Sequence, residues 1–147
     1  MIDQENLVST KKSKRNLVDV KIILSALWGA RVFSGLQGDS TRFHDPVALN
    51  ELVAGTADIA VTDVMLVVLS AILAIPIVMS VLSLILKDKA NRRANLIAGS
   101  LFVVWELVFL IFVYSQAPLY EIFWGIAYLA FVSLVVWFAW KWPVQEA

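Results

Sequence analysis

The chain has 147 residues, of which 60% are hydrophobic and 16% charged, and its net charge is +0. Soluble domains carry roughly 45–50% apolar and about 25% charged residues, so this composition argues against a water-soluble globule. The charge balance leaves no basic excess for nucleic acid. With no cysteine, disulfides, thiolate nucleophiles and thiolate metal sites are excluded.

Taken in chain order, residues 1–19 read as a basic tail carrying Lys11, Lys12, Lys14 and Arg15. Residues 20–36 read as a first membrane span, near the lower limit of length and interrupted by Arg31. A cleaved signal peptide and an interfacial helix are the two rival readings of that stretch. Trp-Gly-Ala-Arg-Val-Phe lacks a small-residue cleavage pattern, and a basic face would have only Lys21 and Arg31. Residues 39–63 form the one substantial piece outside the spans. Within it Asp45-Pro46 predicts the start of a short amphipathic helix, closed by Gly55, with Leu49, Leu52 and Val53 on one face.

Three further spans follow, at 64–86, 96–114 and 122–140, each close to the 20 or so apolar residues that a crossing helix needs. The second basic cluster, Lys87, Lys89, Arg92 and Arg93, reads as the loop between two of them, and Lys141 closes the last. The expected fold is therefore all-α: a four-helix transmembrane bundle over residues 20–143, with an extracytoplasmic amphipathic helix between spans 1 and 2 and a short tail at 144–147. Basic residues favour the cytoplasmic side. The two clusters and Lys141 agree with both termini cytoplasmic, because residues 39–63 hold only Arg42 among five acids. Tyr114, Tyr120, Phe123 and Trp124 would then mark the outer interface, and Trp137, Trp140 and Trp142 the inner one.

Chemistry has few places to reside. His44 is the only histidine, too few nitrogen ligands for a metal site or bis-histidine haem within one chain. It reads as a loop residue beside a helix cap. No cofactor and no enzymatic activity are expected. The informative residues are Arg31 and Glu106. Arg31 lies about 15 Å past Lys21 and Glu106 about 20 Å past Arg93, counted at helical rise, which places both near the midplane. A charge there costs about 3 kcal/mol or more unless paired or hydrated, so the two are natural partners. Companions at that level are Tyr128, Pro76, whose imide leaves the Ile72 carbonyl without its donor, and Trp28, placed to shield Arg31 by a cation–π contact. Ala26, Ala30, Ser34 and Gly38 form a small-residue stripe on span 1 that would let a helix approach closely.

Two readings of the charges compete. In one they form a structural pair, and the protein acts by helix–helix association with itself or a membrane-protein partner in the bilayer. In the other they line a polar path in a small transporter or channel.

Three stretches carry a resemblance: Leu24-Ser-Ala-Leu-Trp-Gly-Ala-Arg-Val-Phe-Ser-Gly-Leu-Gln-Gly-Asp39, Ile75-Pro-Ile-Val-Met-Ser-Val-Leu-Ser-Leu-Ile-Leu-Lys87 and Val135-Val-Trp-Phe-Ala-Trp-Lys-Trp-Pro143. They resemble a family of small bacterial four-helix membrane proteins catalogued as a domain of unknown function. The similarity runs from about residue 20 to residue 143 and implies a bacterial inner membrane and a four-helix fold, with no activity or catalytic residue to carry over. Likeness to other small four-helix families, including the DoxX-like one, is architectural and carries no function.

Overall fold

The computed structural model of this chain describes residues 2–56, 62–112 and 117–142, with side chains from residue 18 onward. The basic side chains of the N-terminal tail, Tyr114 and the 144–147 tail therefore lie outside the described part. Among the described residues there are five α-helices and no strand: α1 (Ile2–Arg42), α2 (Pro46–Ala54), α3 (Asp63–Ile85), α4 (Asp88–Phe112) and α5 (Leu119–Trp140).

Helix α1 is longer than the expected span and takes in the tail as well, running 41 residues without a break. The reason is local: no proline precedes Pro46 and no glycine precedes Gly29, so nothing stops helix propagation. Helix α4 likewise begins at Asp88 rather than at residue 96. The basic cluster is thus mostly helical, with Asp88 placed in the first turn where the helix dipole favours an acid. Helix α2 is bounded by caps. Asp45 is extended (φ −83°) and its side chain accepts from the Val47 amide at 2.9 Å, while Gly55 takes the left-handed conformation (φ 65°) that releases the chain. Helix α3 starts at Thr62, whose hydroxyl accepts from the Met65 amide at 3.2 Å, and passes through Pro76.

By length and composition, α3, α4 and α5 are long and apolar enough to cross a membrane, and α1 is not among them. Lys21, Ser25, Arg31, Ser34 and Gln37 dilute its apolar stretch. Helix α1 packs on α3 and α5, and α5 on α4, whereas α3 and α4 touch little despite being consecutive. The core comprises Leu24, Trp28, Met79, Phe102, Val132, Val135, Ala139 and Trp142. Trp142, expected at an interface, is buried in that core instead. Polar side chains are buried beside these: Arg31, Ser34, Ser83, Asn91, Asn95 and Glu106. Large apolar residues such as Val64, Ile85, Ile97, Leu101 and Phe112 face outward. Buried polar side chains beneath an apolar exterior, together with three helices of crossing length, suit a membrane protein.

Basic residues tie helix ends together. Lys21 Nζ donates to the Leu86 carbonyl at 2.9 Å and pairs with Asp88 at 2.8 Å, so α1 pins the turn between α3 and α4. Arg92 Nε donates to the Ala139 carbonyl at 3.2 Å, at the electronegative C-terminal end of α5.

The small-residue stripe does not form one packing face. Ser34 and Gly38 are buried, Ala30 is half-buried and Ala26 is exposed. Each four-residue step advances about 40° around a 3.6-residue helix, so the stripe winds off the seam. Close approach occurs elsewhere. A Cβ at Gly99 on α4 would stand 2.9 Å from Val136 Cγ2 and 3.3 Å from Val135 Cγ1 of α5. Gly99→Leu is expected to destabilise the purified protein by at least the 1–3 kcal/mol or so typical of overpacking. Gly29→Ala, with nothing within 4 Å of the added carbon, should leave it unchanged or slightly more stable. Thermal unfolding in detergent compares the two, and equal midpoints would contradict the α4–α5 contact.

Candidate functional site: a buried arginine–glutamate pair

Arg31 comes from the buried face of α1 that also carries Leu24, Trp28 and Gly38. Glu106 comes from the face of α4 that carries Asn91, Asn95, Gly99 and Phe102. Their exposures are 7% and 3%. Arg31 Nε donates to Glu106 Oε1 at 3.0 Å, and Nη2 forms a closer ion pair with the same oxygen. The charges are therefore joined by a two-donor contact to one carboxylate oxygen, deep inside the bundle. Such charge-assisted bonds are about twice as strong as neutral ones.

Of the companion residues, Tyr128 stands against the pair. Its ring lies 4.2 Å from Arg31 Cζ, within cation–π range. Trp28 does not shield Arg31 as expected. Its indole N–H donates to Asn95 Oδ1 at 2.7 Å, and its ring meets Phe102 edge-on at 5.7 Å. Asn95 precedes Glu106 by eleven positions on α4, about 16 Å along the helix, so the head groups of Trp28 and Arg31 diverge. An indole donor buried among apolar groups needs an acceptor more than a guanidinium already paired to a carboxylate needs a second ring. Pro76 is buried within α3, and no hydrogen bond or ring contact ties it to the pair among the described residues.

Asn95 belongs to a second polar cluster that the sequence reading missed. Its Nδ2 donates to the Asn91 carbonyl at 3.0 Å and to Asn91 Oδ1 at 2.7 Å. Asn91 Nδ2 donates to the Ser83 carbonyl at 2.6 Å. The Ser83 hydroxyl, with one proton, lies within reach of both the Met79 carbonyl (2.7 Å) and Asn95 Oδ1 (3.2 Å). Asn91, Asn95 and Ser83 are fully buried. Positions 91, 95, 99, 102 and 106 repeat at helical spacing, and that register was the available signal. Assigning Asn91 to a loop hid it.

Beyond Tyr128, towards the end of α1, lies a cleft of about 70 Å³ lined by Gly38, Asp39, Arg42, Glu121, Trp124 and Tyr128. Nearby, the Tyr120 hydroxyl donates to Asp45 Oδ2 at 3.0 Å, tying the cap of α2 to α5. His44 stands at the same end, its Nδ1 donating to the Ser40 carbonyl at 2.7 Å. No group of three or more His, Asp or Glu residues among those described is placed to hold a metal ion.

Magnitudes rank the two polar levels. A neutral interhelical hydrogen bond in a membrane is worth about 0.6 kcal/mol on average, whereas stripping a buried charge of its partner costs about 3–5 kcal/mol. Arg31→Met and Glu106→Gln should each lower stability by about that larger amount, while the double variant recovers much of the loss. Reversible unfolding in detergent of wild type, both single variants and the double variant measures the coupling. Additive losses would mean that the pair does not act as a unit.

A search of curated proteins and a search of solved structures each return no match to this chain. A model of the family described as "Family of unknown function (DUF6326)" matches residues 15–147, a stretch that includes α2 to α5, all but the start of α1, and both polar clusters. The chain belongs to that family of unknown function, DUF6326.

Proposed function

We propose that this chain is a four-span, non-enzymatic protein of a bacterial inner membrane that acts by helix–helix association with itself or with a membrane-protein partner. In this reading α1 crosses with α3, α4 and α5, both termini are cytoplasmic, and α2 lies outside. One observation carries it: Arg31 and Glu106 are buried and paired with each other inside the bundle, while many large apolar side chains face outward. Lipid is the solvent that such a surface suits. The Arg31–Glu106 pair then lets α1, the least apolar of the four, sit among its neighbours at little cost. Because the guanidinium and the carboxylate already satisfy each other, the pair serves as a fixed link between α1 and α4.

The cleft beside Tyr128 favours one rival, a small transporter or channel working through Arg31 and Glu106. The two readings part at the double variant lacking both charges. A structural link predicts that it is stable and still associates, and a transport path predicts that it is stable and inactive.

Orientation follows from the basic residues on the inner side. The chain is naturally free of cysteine, so single cysteines report cleanly. Asn50→Cys on α2 should react with a membrane-impermeant maleimide in intact cells, and Ala90→Cys on α4 only after the cells are opened. The opposite pattern would reverse the topology, and labelling of both in intact cells would break the four-span count.

A further inference from the structure

Five cations stand together at the end of the bundle where α3 turns into α4 and α5 stops. Lys87 lies in that turn, Lys89, Arg92 and Arg93 in the first two turns of α4, and Lys141 at the end of α5. Among the described residues none of the five makes an ion pair. The one acid in the first turn of α4, Asp88, is taken by Lys21 at 2.8 Å. Arg92 donates to the Ala139 carbonyl, and Lys141 Nζ stands 4.0 Å from the centroid of the Trp137 ring. A carbonyl and a π face carry no net charge, so both cations stay uncompensated. Lys89, Arg92 and Arg93 fall at i, i+3 and i+4 and so share one side of α4. Like charges at that spacing repel, and the start of a helix is the positive end of its dipole. Lys89 and Arg93 are exposed there, against the local electrostatics of the fold.

We infer that this side of α4 binds an anionic glycerophospholipid, its phosphate held by Lys89, Arg92 and Arg93 and its acyl chains laid along the helix below them. The charges complement each other: the cations lack a protein anion, and the headgroup supplies one. The flank fits as well. Ile97, Val104 and Ile111 follow Arg93 at helical spacing on the same side of α4, and all three are exposed. Trp137 and Trp140 stand exposed near the end of α5, at the level where such rings suit a headgroup region. The source of the phosphate follows from shape. Lys89 and Arg93 project from the outside of a helix rather than into a cavity, where a free anion competes with bulk water. A lipid headgroup is held in place by its own chains, so weak contacts at an open surface suffice.

The inference rests on reading the chain as a membrane protein, and not on which side of the membrane the patch faces. Native mass spectrometry of the full-length protein, stripped of lipid in a neutral detergent, compares added phosphatidylglycerol with phosphatidylcholine of the same acyl chains. The anionic lipid should bind saturably and at least tenfold more tightly, and added sodium chloride should weaken it by screening. A cation beside an anionic lipid surface is worth about fivefold in affinity, so Lys89→Gln combined with Arg93→Gln should cost at least tenfold. Both side chains are exposed, and without lipid this double variant should melt no lower than wild type. Arg42→Gln, at the opposite end of the bundle, is the control and should bind as wild type does. Equal binding of the two lipids, full binding in the Lys89 and Arg93 double variant, or an equal loss in Arg42→Gln would each overturn the assignment. Displacement of the lipid by millimolar inorganic phosphate would show a site for soluble anions instead. Flotation with neutral phosphatidylcholine vesicles checks the membrane reading separately. A protein that floats with them yet does not prefer the anionic lipid refutes the patch alone, and one that floats with neither lipid refutes both.

Discussion

A guanidinium and a carboxylate that meet inside an apolar bundle have no water to fall back on. Arg31 and Glu106 are 7% and 3% exposed, so each is tolerable only because the other is present. That requirement sets where α1 can sit. Sliding α1 by one residue along α4 would move the head group about 1.5 Å and rotate it about 100°, enough to lose a contact of 3.0 Å. Leu24, Trp28 and Gly38 lie on the same face of α1 and take their neighbours from the same register. The close seat of Tyr128 over Arg31 and the close pass of Gly38 by Tyr128 are consequences of it.

The polar interior has two levels with different physics. At one end Trp28, Ser83, Asn91 and Asn95 exchange neutral hydrogen bonds across α1, α3 and α4. No single bond there is worth much, and the group acts by demanding that every donor and acceptor be met at once. Near the other end a single charged contact holds two helices, and its strength lies in the penalty for breaking it. Phe102 packs against Trp28 between Asn95 and Glu106 on α4, so apolar bulk separates the levels. Tyr128 stands between the pair and the cleft at the end of α1, touching Arg31 with its ring and lining the cleft as well. The cleft lined by Gly38, Asp39 and Glu121 lies at an end of the bundle.

Helix ends supply the remaining order. Arg92 stands in a basic cluster that a charge count reads only as a signal of orientation, yet it donates to a backbone carbonyl of a neighbouring element, as Lys21 does at the start of the first span. One cationic side chain can serve both purposes, because a helix C-terminus is electronegative whichever membrane face it occupies. Helix α2 is held differently, by the Asp45 cap and its bond from Tyr120. The Val47 amide and the Tyr120 hydroxyl hold the Asp45 carboxyl below the usual carboxylate range. Its contribution is therefore present at neutral pH and is lost only as acid protonates it in the folded chain.

Much of this protein follows from its residues taken one segment at a time. Apolar runs of crossing length, the Asp45-Pro46 start and Gly55 stop of α2, and the charges of Arg31 and Glu106 within apolar surroundings are local facts, visible without a fold. Helical rise along two separate segments even brings Arg31 and Glu106 to one depth. What distance along the chain cannot supply is the angle around each helix and the identity of the neighbour. Trp28 stands three positions from Arg31, yet it turns to Asn95 on another helix because an acceptor waits there. Ala26 and Gly38 share a stripe by count, but only Gly38 lies against α5. The basic cluster at 87–93 looked like a loop from its charge, and it became helix because its ends found partners in Lys21 and in the carbonyls of α5. Sequence decided which groups must be buried or paired. Tertiary structure decided with whom, since partners 65 to 75 positions apart are chosen by helix rotation and packing, to which no single segment is sensitive.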